Sequence, residues 1–269
     1  MLDTSHFRVA PGSPAGLTER DTRSKSGFEG GKAEGRTALK PLNSRLSELQ
    51  TALWAESKQK LLVVLQAMDS GGKDGAVRNV FRGVNPQGVR VFGFGVPTEH
   101  ELAHDYLWRI HHVTPGNGMI TVFNRSHYED VLVVRVKDIV SENRWRKRYD
   151  HIVDFERLLA DEGTTVVKLF LHISKEEQRQ RLEARLQEPD KRWKFNVGDL
   201  EDRKLWDDFQ EAYEDAITRT STDGAPWYVI PADRKWYRDL AVSSILIETL
   251  ERMDPQFPPE SDLEGVVVE

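Results

Sequence analysis

The stretch Leu61-Leu62-Val63-Val64-Leu65-Gln66-Ala67-Met68-Asp69-Ser70-Gly71-Gly72-Lys73-Asp74-Gly75 decides how the chain is organised. Five consecutive apolar residues suit a strand covered on both faces. A polar, glycine-containing turn follows, and then a segment, Asp74 to Val84, that suits a helix. The turn matches the template G-x-x-x-x-G-K-[ST] at Gly72 and Lys73, with Ala67 at the first glycine position and Asp74 at the hydroxyl position. Gly71 and Gly72 let backbone amides turn inward around an anion, and the helix start adds partial positive charge. Lys73 supplies a compact cation, and Asp74 suits the first helical turn.

Outward from this stretch, four more apolar runs follow: Val89 to Phe94, Met119 to Phe123, Val166 to Leu171 and Trp227 to Ile230. Helix-compatible segments lie between them, at Glu99 to His112, Arg144 to Leu159 and Lys175 to Leu186. Strands alternating with helices predict crossover units and a parallel sheet. Ligands in such sheets bind beyond the carboxyl ends of the strands, so the residues after each run matter most. An amphipathic helix is expected over Leu42 to Lys58 and a closing helix over Lys235 to Met253. Residues 1–38, rich in Gly, Ser, Lys and Glu, read as a flexible arm, either partly disordered or draped over the core, with one apolar-basic patch, Phe7-Arg8-Val9, that could dock. The main domain is expected over 39–257, with a tail at 258–269.

Composition narrows the function. A net charge of −6 argues against a nucleic-acid coat protein, although a local basic cleft can still gather a polyanion. No run approaches the roughly 18 apolar residues of a membrane span, so no membrane association is expected. Met1 to Arg36 lacks the apolar stretch of a secretory signal. The absence of cysteine excludes disulfides and thiolate metal sites, with the cytoplasm as the default location.

Asp69 is the unusual member of the glycine turn. A carboxylate there repels an anion unless a cation stands between them, which suggests Mg²⁺; a base on the accepting oxygen or a turn cap are the alternatives. After the third run comes Asn124-Arg125-Ser126-His127-Tyr128-Glu129-Asp130. Arg125 suits charge developing on a phosphoryl group, or else it pairs with Glu129 or Asp130. Tyr128 and Glu129 suit reading of an acceptor nucleotide. Between runs four and five, Arg181 and Arg185 share a helix face, and Lys191, Arg192 and Lys194 sit in a segment without carboxylates. That cluster suits a lid closing over a polyanion. Arg78 and Arg82 extend the basic track. His100 and His104 lack a third metal ligand, whereas Asp105 and Arg109 suit the acceptor pocket. Asp233, Arg234 and Lys235 fit either an adenine-side role or a helix cap.

Ala67 to Gly75, Phe123 to Asp130, Asp105-Tyr106-Leu107-Trp108-Arg109 and the segment from Trp193 to Trp206 together resemble the polyphosphate kinase 2 family, over about Leu42 to Phe257. The resemblance implies a P-loop, thymidylate-kinase-like α/β three-layer sandwich. Its five parallel strands would be ordered 2-3-1-4-5, with a helical lid at about 174–210. It implies reversible phosphoryl transfer from inorganic polyphosphate to AMP and ADP, with Mg²⁺ or alternatively Mn²⁺, by a dimer or tetramer. Asp69, Lys73 and Arg125 would be catalytic and Asp69 would hold the metal. Gly71, Gly72, Lys73, Asp74, Gly75, Arg78, Lys191, Arg192 and Lys194 would bind polyphosphate. Asp105, Arg109, Asn124, Arg125, Tyr128 and Glu129 would bind nucleotide, with Arg181 and Arg185 in the lid. Many members carry Asp and Asn where this chain has Asn124 and Glu129; the pairing here is similar to the class III subgroup that accepts AMP as well as ADP. A neutral amide at 124 is a poorer Mg²⁺ ligand than a carboxylate. An ATP-dependent nucleoside monophosphate kinase and a non-catalytic polyphosphate or nucleotide sensor are the rival readings.

Overall fold

A computed structural model describes residues 1–259. Six strands form one sheet: β1 (Arg8–Val9), β2 (Lys60–Gln66), β3 (Val89–Gly93), β4 (Ile120–Asn124), β5 (Thr164–His172) and β6 (Trp227–Pro231). The helices in chain order are α1 (Lys32–Glu56), α2 (Lys73–Val80), α3 (Glu99–Leu102), α4 (Trp108–His111), α5 (Val133–Val136) and α6 (Glu142–Asp161). They continue with α7 (Lys175–Gln187), α8 (Gly198–Lys204), α9 (Trp206–Thr220) and α10 (Lys235–Met253).

The strand order is β1-β6-β5-β2-β4-β3, and all pairs are parallel except β1 with β6. The five parallel strands have the expected order. Central strand β2 pairs with β4 on one side and β5 on the other, with Leu65 opposite both Asn124 and Leu169. Its residues Leu61 to Gln66 are all buried, as the unbroken apolar run requires. Helices α1, α2 and α10 pack together, while α6 packs on β5 and on α9, so both sheet faces are covered. Among the described residues, no helix is long and apolar enough to cross a membrane.

The N-terminal stretch is docked on the core. Of the two readings of the arm over 1–38, partly disordered or draped over the core, the structure shows the second: Leu2, Phe7, Val9, Ala15 and Leu17 are buried in the core. The backbone amides of Gly16 and Leu17 donate to Glu214, and Arg8–Val9 add the sixth, antiparallel strand. Five scattered apolar residues carry no period, so only their partners on distant elements reveal the docking. Helix α1 also begins before the expected Leu42 and runs through Pro41. A proline reads as a helix start in sequence; here the packing of α1 on α10 carries the helix across the missing amide. The expected tail at 258–269 lies outside the described residues from 260 onward.

A polar knot sits inside the apolar core. Lys168 on β5 donates to Glu156 of α6 (2.5 Å), to the Tyr128 hydroxyl (3.0 Å) and to the Thr220 carbonyl (2.6 Å). Lys168 and Glu156 are both essentially inaccessible to solvent. Replacing Lys168 with Met leaves the Glu156 carboxylate buried without its cation. The expected cost is about 3–5 kcal/mol, read as a lower denaturant midpoint at unchanged slope. A midpoint equal to that of the wild type contradicts this account.

Candidate active site

The site lies beyond the carboxyl ends of β2 and β4. Five carbonyls of the turn between β2 and α2 are held from outside. Lys73 Nζ donates to Ala67 (2.8 Å), Gln178 to Asp69 (3.0 Å), Arg181 to Ser70 (3.0 Å) and Gly71 (2.9 Å), and Arg238 to Gly72 (3.0 Å). These bonds fix the path of the turn, and the first amides of α2 beside it have no intrahelical partner. Two glycines are obligatory here. A Cβ on Gly71 would lie 2.4 Å from the Ala67 side chain, and one on Gly72, at φ +99°, would lie 2.3 Å from Arg238. Ala67, where the template has glycine, therefore forms the surface on which Gly71 packs. Ser70, at φ +62°, carries local backbone strain.

Arg125 follows β4, and its backbone amide donates to the Leu65 carbonyl (3.1 Å), which binds it directly to the end of β2. Its φ of +65° is uncommon for a residue with a side chain, so the fold holds it there against a local preference. The guanidinium meets Asp69 at 2.6 Å rather than Glu129 or Asp130, and Asp130 instead pairs with Arg148 at 2.8 Å. Asp69 Oδ1 is thus engaged, whereas Oδ2 accepts no hydrogen bond among the described residues. Both Asp74 oxygens are engaged, by Asn124 (2.9 Å) and Lys194 (3.1 Å). One free carboxylate oxygen beside an anion site fits Mg²⁺, which keeps several waters and binds through one or two carboxylates plus phosphate oxygens. No group of three His, Cys, Asp or Glu suited to a metal occurs among the described residues.

A cleft of about 730 Å³ opens over this turn. Arg78, Arg185, Lys191, Lys194, Lys235 and Arg238 add their charges to its wall. Burial lowers the Lys73 ammonium below its ordinary value, with Asp69 opposing that shift. Burial acts against Asp74 as a carboxylate, but the hydrogen bonds from Asn124 and Lys194 outweigh it and hold the group low. Glu129 keeps part of its surface open, yet it lies deep among protein atoms, and burial raises its carboxyl above the ordinary value despite Arg125 and Lys73. The Gln66 amide, oriented by its hydrogen-bond network, donates to Glu129 at 3.2 Å.

A raised folded-state pKa means the native protein binds that proton more tightly than the unfolded chain does. Ionised Glu129 therefore costs stability above its raised pKa, and the cost disappears below the ordinary value of 4.5. Glu129→Gln is expected to raise the thermal midpoint at neutral pH, with the gain fading as pH falls toward 4.5. Thermal denaturation at several pH values tests this, and a variant less stable than wild type at neutral pH contradicts it.

Several sequence expectations need correction. Tyr128 does not face a nucleotide: it is fully buried and its hydroxyl donates to Glu156 (2.9 Å), because the chain turns inward after Arg125. Arg181 lines the cleft from α7 and also braces the turn, tied to Glu177 at 2.7 Å and to the Ala232 carbonyl. Arg185 lines the cleft and pairs with Asp199 at 3.0 Å. Arg192 lies off the cleft wall and donates to the Leu186 carbonyl, whereas Lys191 lines the wall and pairs with Glu188. Asp105 is exposed and caps the Leu107 amide. Arg109 supports the cleft from behind by donating to the Gly95 carbonyl (3.0 Å) and lying over the Phe94 ring.

Arg238 and Gln178 were missed. The signal for Arg238 was present, since Arg238-Asp239 is a charged pair inside α10 followed by the mostly apolar stretch Leu240 to Ile247, which is buried throughout. Both members are buried and pair at 2.5 Å. Such a pair implies a partner in the interior, and the Gly72 carbonyl is that partner.

A glycine turn between the central strand of a parallel sheet and a helix, faced by converging cations, defines a P-loop kinase. Residues 30–258 match the family model described as polyphosphate kinase 2. The chain is 61% identical over 264 residues to the AMP/ADP-polyphosphate phosphotransferase of Meiothermus ruber, covering 98% of this chain and 99% of that one. It is 42% identical to the ADP-polyphosphate phosphotransferase of Rhodopseudomonas palustris, covering 96% and 93%. The crystal structure of polyphosphate kinase 2 from Arthrobacter aurescens TC1 superposes with a TM-score of 0.93 at 43% identity, covering 97% of this chain and 93% of that one. The chain belongs to the polyphosphate kinase 2 family.

Proposed function

We propose that this protein transfers the terminal phosphoryl group of inorganic polyphosphate to AMP and ADP, giving ADP and ATP. The observation that carries the reading is the glycine turn at the end of β2, which lines a cleft together with Lys73, Arg78, Arg125, Arg181, Arg185 and Arg238. That arrangement favours a phosphate chain. The name of the Meiothermus ruber relative supports the same donor and acceptors.

The step is an in-line displacement. An oxygen of the acceptor's phosphate forms a bond to the terminal phosphorus, the bridging P–O bond breaks, and its electrons stay on the shortened chain. Catalysis of this kind rests on positioning and charge stabilisation, without a covalent enzyme intermediate. Lys73 and the turn amides hold the transferring group. Arg125, oriented by Asp69, stabilises its equatorial charge. Asn124, on the cleft wall, is assigned to the acceptor side, with Glu129 behind the wall, where burial raises its carboxyl above the ordinary value. Asp69 would hold Mg²⁺, which would supply charge neutralisation for the phosphate groups.

Incubation with AMP, Mg²⁺ and nucleotide-free polyphosphate, without ATP, tests the reading. Appearance of ADP and then ATP is expected. Silence there, with turnover of AMP by added ATP, assigns the protein instead to ATP-driven kinases. The reading also carries a homo-oligomer, which light scattering checks.

A further inference from the structure

Behind the cleft, the loop after β4 carries more polar groups into the interior than its packing needs. Arg125 turns the chain at φ +65°, and the next three residues, Ser126, His127 and Tyr128, are fully buried. Each has an anchor. The Ser126 hydroxyl donates to the Gln66 amide oxygen (3.1 Å) and accepts from the Tyr128 amide (3.2 Å). His127 Nε2 and the Tyr128 hydroxyl both reach Glu156 Oε1, at 3.3 and 2.9 Å. Lys168 donates to the same hydroxyl (3.0 Å) and ties Glu156 to the Thr220 carbonyl. Asp130, at the end of the loop, accepts from Arg148 at 2.8 Å. Elements β2, β5, α6 and α9 thus converge on one short loop.

None of Ser126, His127, Tyr128, Glu156 or Lys168 lines the cleft, and the transfer step uses none of them. Stability does not account for them either, since well-packed apolar side chains of similar volume commonly serve as well as a buried ion pair. What the hydrogen bonds add is direction. Apolar packing is non-directional, whereas bonds of 2.5–3.0 Å around Lys168 and Tyr128 fix distance and angle together. Burial and the Glu156 charge push the Tyr128 phenol well above its ordinary value, so the hydroxyl keeps its proton and remains a donor. A backbone outlier persists only where its surroundings over-determine it, and the outlier here is Arg125. From upstream it is held by the β4 ladder and the Leu65 carbonyl. From downstream it is held by the loop that Tyr128 fastens.

We propose that Tyr128 is a positioning residue for phosphoryl transfer: gripped by the buried Lys168–Glu156 pair, it holds Arg125 in its left-handed turn so that the guanidinium meets Asp69 and faces the cleft. The proposal rests on the role of Arg125 in the transfer argued above. Tyr128 touches no reactant, and its effect passes through Arg125. A misplacement of about 1 Å in such a group costs on the order of a hundredfold in rate.

A double-mutant cycle tests this. Tyr128→Phe removes the hydroxyl but keeps the ring, which lies edge-on to Trp227 at 4.8 Å, and leaves Lys168 paired with Glu156. With AMP and polyphosphate its kcat should fall about tenfold or more, while KM for either substrate stays within about twofold. In an Arg125→Ala background the same substitution should change kcat by less than about twofold, because no guanidinium remains to be placed. General loosening of the fold acts on every group in the site and gives equal losses in both backgrounds. Equal losses, or a Tyr128→Phe kcat within about twofold of the wild type, would therefore overturn the proposal while leaving the transfer reaction standing. Ser126→Ala, which releases the Tyr128 amide, carries the same cycle and the same outcomes if Tyr128→Phe does not fold. A wild type that transfers from ATP but not from polyphosphate would remove the donor assignment alone, and the cycle run with ATP then decides the proposal. A wild type inactive with both donors would overturn the transfer reading and the proposal with it.

Discussion

Replacing Lys73 with Met is expected to lower turnover about a thousandfold or more, equivalent to roughly 4 kcal/mol of lost transition-state stabilisation. Lys73 is the buried cation of the glycine turn, and its Nζ reaches back to the Ala67 carbonyl at 2.8 Å. Charge placed where water is excluded acts strongly on a transferring phosphoryl group. The same burial makes the ammonium costly to the folded protein, as its lowered pKa shows. Methionine fills similar space without that cost, so the variant should be at least as stable as the wild type. Steady-state kinetics beside a denaturant titration measures both effects. Activity within tenfold of the wild type would move the catalytic cation elsewhere.

Arg125→Ala should lower kcat by about 10³-fold or more, the range in which an arginine that stabilises phosphoryl-transfer charge operates. KM should change far less, because the guanidinium acts on charge that grows during transfer. Its backbone conformation points the same way: a side-chain-bearing residue at φ +65° marks a position where placement outweighs local preference. Arg125→Lys should recover little, because a point charge on a flexible stem does not reproduce the planar fork held by Asp69. Recovery to within tenfold by lysine would show that net charge alone suffices there. Equal losses in kcat and in substrate affinity would indicate ground-state binding instead.

The sheet was legible because each parallel strand is a continuous apolar run. β2, β4, β5 and β6 read this way, and so did β3 from Val89 to Phe94 although Arg90 interrupts it. Strand β1 was not legible, since two residues with one buried side chain make no pattern. The active-site turn was legible from its glycines and Lys73. Its supports were not, since Gln178, Arg181 and Arg238 reach it from 109, 110 and 166 positions along the chain. The loop after β4 was read half correctly: Arg125 faces the cleft, while Tyr128, three residues on, enters the core.

What the sequence determined by itself is the set of features carried by neighbours in the chain: apolar runs, helix periods, the glycine turn and a cation placed to follow it. Local sterics and burial act over a few residues, so a few residues suffice to show them. Only the tertiary structure decided which charges face the cleft, which brace it from behind and which pair among themselves. A guanidinium takes its role from the oxygen it meets, and at Arg181, Arg125 and Arg238 those oxygens belong to elements distant in sequence.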